Sequence, residues 1–270
     1  MDIRFTKMNG AGNDFVVLDN RTRSLSLEGG QIARLCDRHR GVGADGLLAV
    51  EPAEGSADFR MRYYNSDGGE AEMCGNGARC FARFAARLME GSPNMVSFET
   101  QAGLITAVLE GELVTLEMGR PHDHRDPQSL TLGDSSHQVH FINTGVPHAV
   151  VFVSEVEKID VQILGSALRW HLAFSPQGTN ANFAQVIAPD TLLLRTYERG
   201  VEGETLACGT GVCATALLHA MQTGAQSPIH VKVRGGDTLR MDFQKNPDGS
   251  FAAAKLTGPA DFVFEGTISL

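Results

Sequence analysis

The hydrophobic pattern is clearest in two segments, and each predicts a helix in a protein core. In residues 209–223 apolar side chains cover nearly every helical face, and a helix that is apolar all round is a buried one. In residues 75–90 the apolar positions leave one polar stripe of arginines. Gly91 and Gly224 follow the two segments, and glycine commonly ends a helix. Two core helices need other elements to wrap them.

Short apolar or alternating runs indicate that the wrapping elements are strands. The runs are bounded by Gly, Pro, Asn or Asp, as strands commonly are. Two further helices are predicted near Gln31–Arg38 and Gln162–His171. The pattern therefore predicts an α+β protein. Its predicted strands are Phe15–Leu18, Leu47–Val50, Met61–Tyr64, Val114–Met118, Ala149–Val153, Leu192–Tyr197, His230–Val233, Leu239–Phe243 and Phe262–Phe264.

The two predicted core helices begin with the same motif. Residues 73–82 read MCGNGARCFA and residues 207–216 read ACGTGVCATA, so both contain Cys-Gly-polar-Gly. The leading cysteines, Cys74 and Cys208, are 134 residues apart (208 − 74), about half of the 270-residue chain. This spacing predicts two similar lobes, each with one cysteine at a helix start. The polar segment Gly119–Pro127, which contains two prolines, is the predicted boundary.

Composition and charge argue against two classes of binding partner. The chain is 42% hydrophobic and 20% charged, which is typical of globular proteins. Its formal net charge of −9 argues against nucleic acid or an anionic membrane as the main partner, because both need a basic face. No apolar run approaches the ~18 residues of a membrane span, and the N-terminus lacks the apolar core of a secretory signal. We expect a soluble, cytoplasmic protein.

The five cysteines favour thiol chemistry over a metal site or disulfides. An odd number without a secretory signal makes reduced thiols the default. The spacings Cys74-x5-Cys80 and Cys208-x4-Cys213 do not match the C-x2-C of structural zinc sites. Gly41–Gly46 matches a dinucleotide fingerprint, but it follows a predicted helix and opens a strand, which reverses the required context. A duplicated thiol at two helix starts indicates a reaction that uses two thiols.

Five segments give the chain a family resemblance over nearly its whole length. The chain resembles the diaminopimelate epimerases. The segments are MNGAGNDFVVLD (8–19), YNSDGGEAEMCGNGARCFARF (64–84), NTGVPH (143–148), GTNANF (178–183) and YERGVEGETLACGTGVCATA (197–216).

The resemblance implies an activity and a set of roles. The implied reaction is interconversion of LL- and meso-2,6-diaminopimelate without a cofactor, in lysine and peptidoglycan precursor biosynthesis, by an enzyme that is often a homodimer. It implies that Cys74 and Cys208 are the catalytic thiolate and thiol, and that His148 and Glu198 tune their pKa values. The residues that it implies for substrate binding are Asn13, Asn65, Gly75, Asn76, Asn180, Glu198, Arg199, Gly209 and Thr210.

The resemblance also implies a fold and marks two departures. The implied fold has two pseudo-symmetric lobes, each a mixed β-sheet curled around a central helix, with the substrate cleft between them. Residues 1–118 and 258–270 would form the lobe with Cys74, and residues 119–257 the lobe with Cys208. Gly46 and Val146 stand where some family members carry Gln and Asn. Each departure removes an auxiliary polar contact.

The residue types suit proton transfer at an amino-acid α-carbon. Inversion removes a proton from one face and delivers one to the other, and two opposed groups do this without moving. A free cysteine has a pKa near ~8.5, and a helix start lowers it because the unpaired N–H groups favour negative charge. If His148 is charged, it and Glu198 have opposite electrostatic effects on the two thiols.

Three alternatives remain. A proline or hydroxyproline racemase would share the two thiols but carry histidine where Asn76 stands. A thiol hydrolase would need only one cysteine and form a covalent intermediate. A non-catalytic binding protein with this fold would be expected to have lost one of the thiols.

Overall fold

The computed structural model describes residues 1–71 and 73–270 of the chain. It confirms the predicted α+β class, with four α-helices, two short 3-10 helices and seventeen strands among the described residues. By Cα proximity the chain divides into two compact units, residues 1–116 with 258–270 and residues 117–257. None of the helices in the described ranges has the length and apolar character that crossing a membrane requires.

The first unit is a mixed sheet with two helices. Its strands pair in the order β17-β1-β2-β3-β4-β5-β6-β7, antiparallel except for the parallel pairs β2–β3 and β4–β5. In chain order its elements are β1 (Asp2–Gly10), β2 (Asn13–Asp19), α1 (Gly29–Cys36), β3 (Gly46–Glu51), β4 (Phe59–Asn65), α2 (Gly75–Arg87), β5 (Met95–Thr100), β6 (Gly103–Glu110), β7 (Leu113–Glu117) and β17 (Asp261–Ser269).

The second unit is built in the same way. Its strands pair in the order β8-β9-β10-β11-β12-β14-β15-β16, antiparallel except for β10–β11 and β12–β14. In chain order its elements are β8 (His122–Leu132), β9 (Ser135–Asn143), β10 (Pro147–Phe152), α3 (Val161–Arg169), β11 (Asn180–Ala188), β12 (Thr191–Glu198), β13 (Gly203–Thr205), α4 (Gly209–Thr223), β14 (Ile229–Val233), β15 (Thr238–Lys245) and β16 (Phe251–Pro259).

The pairing order shows that the two units are topological duplicates. Eight strands in each unit follow one sequence of antiparallel and parallel pairs, with the parallel pairs at the same two places. α1 and α3 each connect the strands of the first parallel pair, and α2 and α4 precede the last strand of the second. α2 contacts β1 to β6, and α4 contacts the equivalent strands β9 to β12, β14 and β15. Each sheet therefore curls around its own central helix.

Helices on both faces explain the continuous apolar strands. In β2, Val16 and Leu18 pack in one cluster with Ile32 and Leu35 of α1. Phe15 precedes Val16, so it lies on the opposite face of the strand, towards α2, where a methyl group added at Gly77 would lie 3.3 Å from its ring. Successive side chains of a strand point to opposite faces, so a strand covered on both faces reads as an unbroken apolar run.

The arginine stripe of α2 faces the C-terminal strand of its own unit. Arg79 is fully buried, and its Nε donates at 3.2 Å to the carbonyl of Pro259, which ends β16 and already belongs to the first unit. Arg83 and Arg87 place their guanidinium groups over the Phe262 ring, 5.2 and 4.8 Å from its centroid. The stripe is therefore an internal packing surface that holds β17.

The polar segment predicted as a boundary is strand over most of its length. β8 begins at His122 and pairs with β9, with irregularities in the register between Arg125 and Gln128. Pro127 lies within that irregular stretch. Because proline has no N–H to donate, strands accept it at such irregularities.

Two buried threonines of the second unit predict opposite effects on stability. Thr215 of α4 is fully buried, and its Oγ1 has no hydrogen-bond partner within the described ranges. An uncompensated buried hydroxyl costs about 1–3 kcal/mol, so we expect Thr215→Val to raise the free energy of unfolding by about 1 kcal/mol.

Thr144 is the opposite case, because its Oγ1 donates to Thr210 O at 2.9 Å. Thr144→Val removes this hydrogen bond and should lower the free energy of unfolding by about 1 kcal/mol. Urea unfolding measures both. A destabilised Thr215→Val would contradict the first prediction.

Candidate active site

Both cysteines of the repeated motif are N-cap residues of central helices. Cys74 precedes α2 and Cys208 precedes α4, each with extended backbone. Their carbonyls accept the first helical hydrogen bonds, from Ala78 N at 2.7 Å and Val212 N at 2.9 Å. Cys74 is half-buried, and Cys208 is 8% exposed. The two thiols thus occupy equivalent positions in duplicated units.

The starts of both helices suit an anion. The first N–H groups of a helix have no intrahelical acceptor, and the helix dipole adds positive potential there. Neither α2 nor α4 has an acidic residue in its first turn. Around Gly75 nothing lies within 4 Å of the position of an added Cβ. A thiolate or a carboxylate placed at these termini is stabilised by the backbone itself.

In the first unit, two predicted binding residues form one hydrogen-bonded pair. Asn76 Nδ2 donates to Asn13 Oδ1, and Asn76 Oδ1 accepts from Arg79 Nη2 at 2.8 Å. Asn13 Nδ2 donates to Asp45 Oδ2 at 3.1 Å. Arginine can only donate a hydrogen bond and a carboxylate can only accept one. Arg79 at one end of this series of hydrogen bonds and Asp45 at the other therefore fix the orientation of both amides.

A cluster of charged side chains around Asp14 and Asp45 supports the Asn13–Asn76 pair. Lys7 is buried and lies 2.7 Å from Asp14 Oδ2, and Arg38 binds both Asp14 and Asp45 at 2.9 and 2.8 Å. Burial raises the pKa of the Asp14 carboxyl, but the hydrogen bonds from Arg38 and Lys7 outweigh it and lower the pKa to about 2. Asp14 is therefore ionised throughout the physiological range and holds the segment around Asn13 in place.

Asn65 lies beside the first departure from the family pattern. Asn65 ends β4, is exposed, and stands opposite Gly46 in the β3–β4 register. Tyr63 Oη donates to Asn65 Oδ1 at 2.9 Å. A Cβ at Gly46 would lie 2.6 Å from Tyr64 O and 2.9 Å from Tyr63 Cε2, so a glutamine there requires the Tyr63 ring to move. Since the shorter of the two distances is to a backbone oxygen, a side chain at Gly46 would also require the backbone at Tyr64 to shift.

In the second unit, the start of α4 is held closely. Thr144 Oγ1 donates to Thr210 O, and Thr210 Oγ1 lies 3.5 Å from Cys208 Sγ. The carbonyl of Val146, the second departure, accepts from Thr144 N at 3.2 Å. A methyl group at Gly211 would lie 2.6 Å from Asn182 Oδ1, so only glycine lets the helix approach that amide.

The remaining predicted binding residues lie along β11 and the end of β12. Asn180 Nδ2 donates to Pro147 O at 3.1 Å, and Asn180 Oδ1 accepts from Arg199 N at 2.9 Å. Glu198 accepts a hydrogen bond from Thr205 Oγ1 across the β12–β13 hairpin. Among the described residues, no carboxylate lies within 4.0 Å of the Arg199 guanidinium, whereas Arg195 pairs with Glu204 at 2.6 Å.

The structure answers the open question of the charge on His148. His148 is fully buried and stands opposite Asn180 in the β10–β11 register. Burial, reinforced by the nearby charge of Arg199, lowers the pKa of its imidazole to about 3. His148 is therefore neutral near pH 7.

This neutral histidine predicts a measurable loss of stability in mild acid. The unfolded chain takes up a proton on His148 near pH ~6.5, while the folded state resists protonation down to a pH of about 3. Stability is therefore present above pH ~6.5 and falls by about 1.4 kcal/mol per pH unit below it. Between pH 7 and 5, we expect wild type to lose roughly 2 kcal/mol more than His148→Gln. Urea unfolding at both pH values measures the difference, and equal losses would contradict the burial argument.

The other three cysteines lie in the core and do not belong to a metal site in the described ranges. Cys36, Cys80 and Cys213 are buried and serve as small core side chains. Burial raises the pKa of Cys36 to about 11. The described ranges contain no group of three His, Cys, Asp or Glu side chains suited to a metal ion.

Sequence reasoning missed the residues that support the predicted ones. Asp45 holds Asn13, and Tyr63 holds Asn65, although neither is among the predicted site residues. Asp45 lies in the glycine-rich segment Gly41–Gly46, whose sequence context argues against a dinucleotide site and gives no sign of the contact with Asn13. Asn182 was visible as a second asparagine in GTNANF, two residues after Asn180 and on the same face of the strand.

Comparison with known proteins agrees with this geometry. A model of the family described as "Diaminopimelate epimerase" matches residues 5–123 and 140–263. The diaminopimelate epimerase of Aquifex aeolicus is 44% identical over 282 residues, covering 99% of this chain and 98% of that protein.

Two solved structures share the fold at low sequence identity. A Bacillus anthracis phenazine biosynthesis protein of the PhzF family superposes with a TM-score of 0.76 at 15% identity, over 100% of both chains. A probable proline racemase from Agrobacterium radiobacter gives a TM-score of 0.71 at 17% identity, over 99% of this chain and 93% of that one. These two show the fold alone. The family match over most of the chain, together with a relative at 44% identity along its whole length, places this chain in the diaminopimelate epimerase family.

Proposed function

We propose that this protein interconverts LL- and meso-2,6-diaminopimelate by two-base proton transfer, with Cys74 and Cys208 acting on opposite faces of one α-carbon. One observation carries the proposal: two thiols cap equivalent helices in duplicated units of a chain that belongs to this family. One enters the reaction as thiolate and takes the α-proton. The other enters as thiol and delivers a proton to the opposite face.

The hardest step is ionisation of the carbon acid. Each pKa unit between the carbon acid and the base adds about 1.36 kcal/mol, so a gap of roughly ten units adds about 14 kcal/mol. The negative charge that leaves the α-carbon moves onto the substrate carboxylate. The N–H groups of Gly75 and Asn76 and those of Gly209 and Thr210 lie in the first turns of α2 and α4. Preorganised donors of this kind stabilise such charge strongly.

The far end of the substrate needs its own recognition, because diaminopimelate carries a second amino-acid head. Arg199 is suited to the distal carboxylate, since a guanidinium binds a carboxylate through two parallel hydrogen bonds. Glu198 and the amides of Asn13, Asn65 and Asn180 suit ammonium and carboxylate contacts. No cofactor is part of this proposal, because the two thiols and the helix termini account for each proton and for the developing charge.

The alternatives are separable from this proposal. A racemase of cyclic amino acids would have little use for Arg199, because its substrate has no distal carboxylate. It would also carry histidine at the position of Asn76, which here is hydrogen-bonded to Asn13 and Arg79. We further propose a cytoplasmic homodimer on the strength of the family resemblance. Size-exclusion chromatography with light scattering tests the dimer.

Stereochemical analysis of pure substrate tests the activity. LL-diaminopimelate is incubated with the purified protein in the presence of a strong chelator, and the epimers are separated by chiral chromatography. We expect conversion to the meso form at a rate that the chelator does not change. L-Proline and trans-4-hydroxy-L-proline serve as comparison substrates. Racemisation of proline without conversion of diaminopimelate would contradict the proposal and identify the protein as a racemase of cyclic amino acids.

A further inference from the structure

A buried polar cluster lies in the second unit behind the start of α4. It consists of His148 on β10, Asn182 on β11 and Thr196 on β12, of which the first two are fully buried and Thr196 is 3% exposed. Asn182 Nδ2 lies 3.1 Å from His148 Nδ1 and 3.0 Å from Ala149 O. Asn182 Oδ1 lies 3.0 Å from Thr196 Oγ1. Neither Asn182 nor Thr196 has a role in the proposed reaction.

The surroundings of Asn182 fix the orientation of its amide. Ala149 O is a backbone carbonyl and can only accept, so the amide atom that faces it must be the NH2 group. The opposite amide atom is then the oxygen, which accepts from the Thr196 hydroxyl. The NH2 group has two hydrogens. One is directed to Ala149 O and the other to His148 Nδ1, while Asn180 O is more distant at 3.5 Å.

The orientation of the amide fixes the tautomer of the imidazole. A ring nitrogen that accepts a hydrogen bond cannot carry a proton, so Nδ1 presents its lone pair to Asn182. In neutral imidazole the single proton is then on Nε2. We infer that Asn182 is a positioning residue that holds His148 as the Nε2–H tautomer, so that His148 can donate a hydrogen bond but cannot act as a general base.

Two physical arguments support the assignment of a neutral His148 with its proton on Nε2. An imidazolium would direct an N–H from Nδ1 at the NH2 group of Asn182, and donor would face donor. The nearby Arg199 also disfavours a positive charge on this ring. The general base must offer a lone pair to the reacting proton, and the Nδ1 lone pair is already engaged. Proton abstraction is thus left to the thiols, a consequence that rests on the proposed function.

The tautomer also leaves one donor available. His148 Nε2 is buried and has no hydrogen-bond partner within the described ranges. A buried donor that lacks an acceptor is costly, and such groups are retained where a ligand or a reacting group supplies the acceptor. The chemistry that fits an N–H donor beside a cationic guanidinium is an anionic acceptor.

Nitrogen NMR measures the tautomer directly. The full-length protein, labelled with 15N-histidine and free of substrate, is examined by long-range 1H–15N correlation spectra. The His148 signals are identified by their absence in His148→Gln. We expect a protonated, pyrrole-type Nε2 and an unprotonated, pyridine-type Nδ1. A protonated Nδ1 in the wild type would overturn the inference.

Substitution of Asn182 tests its role in setting the tautomer. In Asn182→Asp the carboxylate can only accept, so His148 should change to the Nδ1–H form or to imidazolium. The matched control is Thr215→Val, a buried substitution in the same unit. It removes no hydrogen bond from His148 or Asn182, because the Thr215 hydroxyl has no partner within the described ranges, and it should leave the His148 tautomer unchanged. An unchanged tautomer in Asn182→Asp would overturn the inference. If that variant does not fold, the wild-type spectrum decides alone.

Kinetics then connects the tautomer to the reaction. In folded Asn182→Asp we expect kcat to fall by about 10²–10³-fold, as for the loss of one preorganised hydrogen-bond donor, with a smaller change in KM. A kcat within twofold of wild type, despite a changed tautomer, would overturn the role of His148 as a donor in the reaction. Because the spectra need no substrate, the tautomer can be right even if the protein does not epimerise diaminopimelate.

Discussion

Cys74→Ala and Cys208→Ala should each lower kcat for epimerisation by on the order of 10³–10⁴-fold, the upper range for loss of a general acid or base. Each thiol caps its own helix in its own unit, so neither can serve both faces of an α-carbon without a large movement. The measurement is the initial rate of meso-diaminopimelate formation from the LL epimer, in both variants and in the wild type.

Two buried cysteines in the same helices provide matched controls. Cys80 lies in α2 and Cys213 in α4, and they are 0% and 1% exposed. Cys80→Ala and Cys213→Ala make the same chemical change a turn or more away from the N-cap. We expect them to keep kcat near the wild-type value and to lose only a small amount of stability, because one sulfur atom leaves a small cavity.

Turnover in heavy water separates a two-base reaction from a one-base reaction. Solvent deuterium should appear first in the product epimer, because the thiol that delivers the second proton has exchanged with solvent. Recovered substrate should stay nearly unlabelled at early times. Each single alanine variant can still exchange the α-proton of the one epimer that presents its hydrogen to the remaining thiol. An alanine variant that epimerises at a near-native rate would make one of the two cysteines merely structural.

The sequence predicted best the elements that have one strong local cause. The helix over residues 209–223 is found at those bounds, because its residues are apolar all round and Gly224 adopts the left-handed conformation at φ 76°. The unbroken apolar runs of β2 and β3 were found because helices cover both faces of those strands. In contrast, β8 went unpredicted, since most of its residues are exposed and show no alternation.

The residues of the site show the same difference between local and remote causes. The two thiols could be predicted because a short motif repeats at two helix starts. The residues that orient the site could not, since their partners are remote in sequence. Asp45 reaches Asn13 across 32 residues, and Asn182 reaches His148 across 34. Such contacts depend on strand register, which no local pattern specifies. Lys7 shows the same limit, because a lysine in a strand gives no sign that it is buried against Asp14.

Arg199→Lys should weaken the reaction far more than conservation of charge suggests. In the proposed function Arg199 takes the distal carboxylate, and an ammonium cannot reproduce the planar, two-point contact of a guanidinium. Hydrogen bonds to charged groups contribute about 1.5–3 kcal/mol, so we expect kcat/KM to fall by about 10–100-fold, mostly through KM. The side chain is suited to this role because no carboxylate among the described residues lies within 4.0 Å of its guanidinium, unlike Arg234, which pairs with Glu157 at 3.0 Å.

Arg234→Lys is the matched control for this substitution. Arg234 lies in the same unit and is half-exposed, and a surface ion pair of this kind contributes only about 0–1 kcal/mol. Its kinetics should therefore match the wild type. A substrate analogue that lacks the distal carboxylate gives the second comparison, because it removes the group that Arg199 binds. Wild type and Arg199→Lys should process this analogue at similar rates, since the lost contact is then absent from both. If Arg199→Lys lowers kcat/KM equally for the analogue and for diaminopimelate, Arg199 acts on the fold of the β12 turn, and the distal carboxylate is bound by another residue.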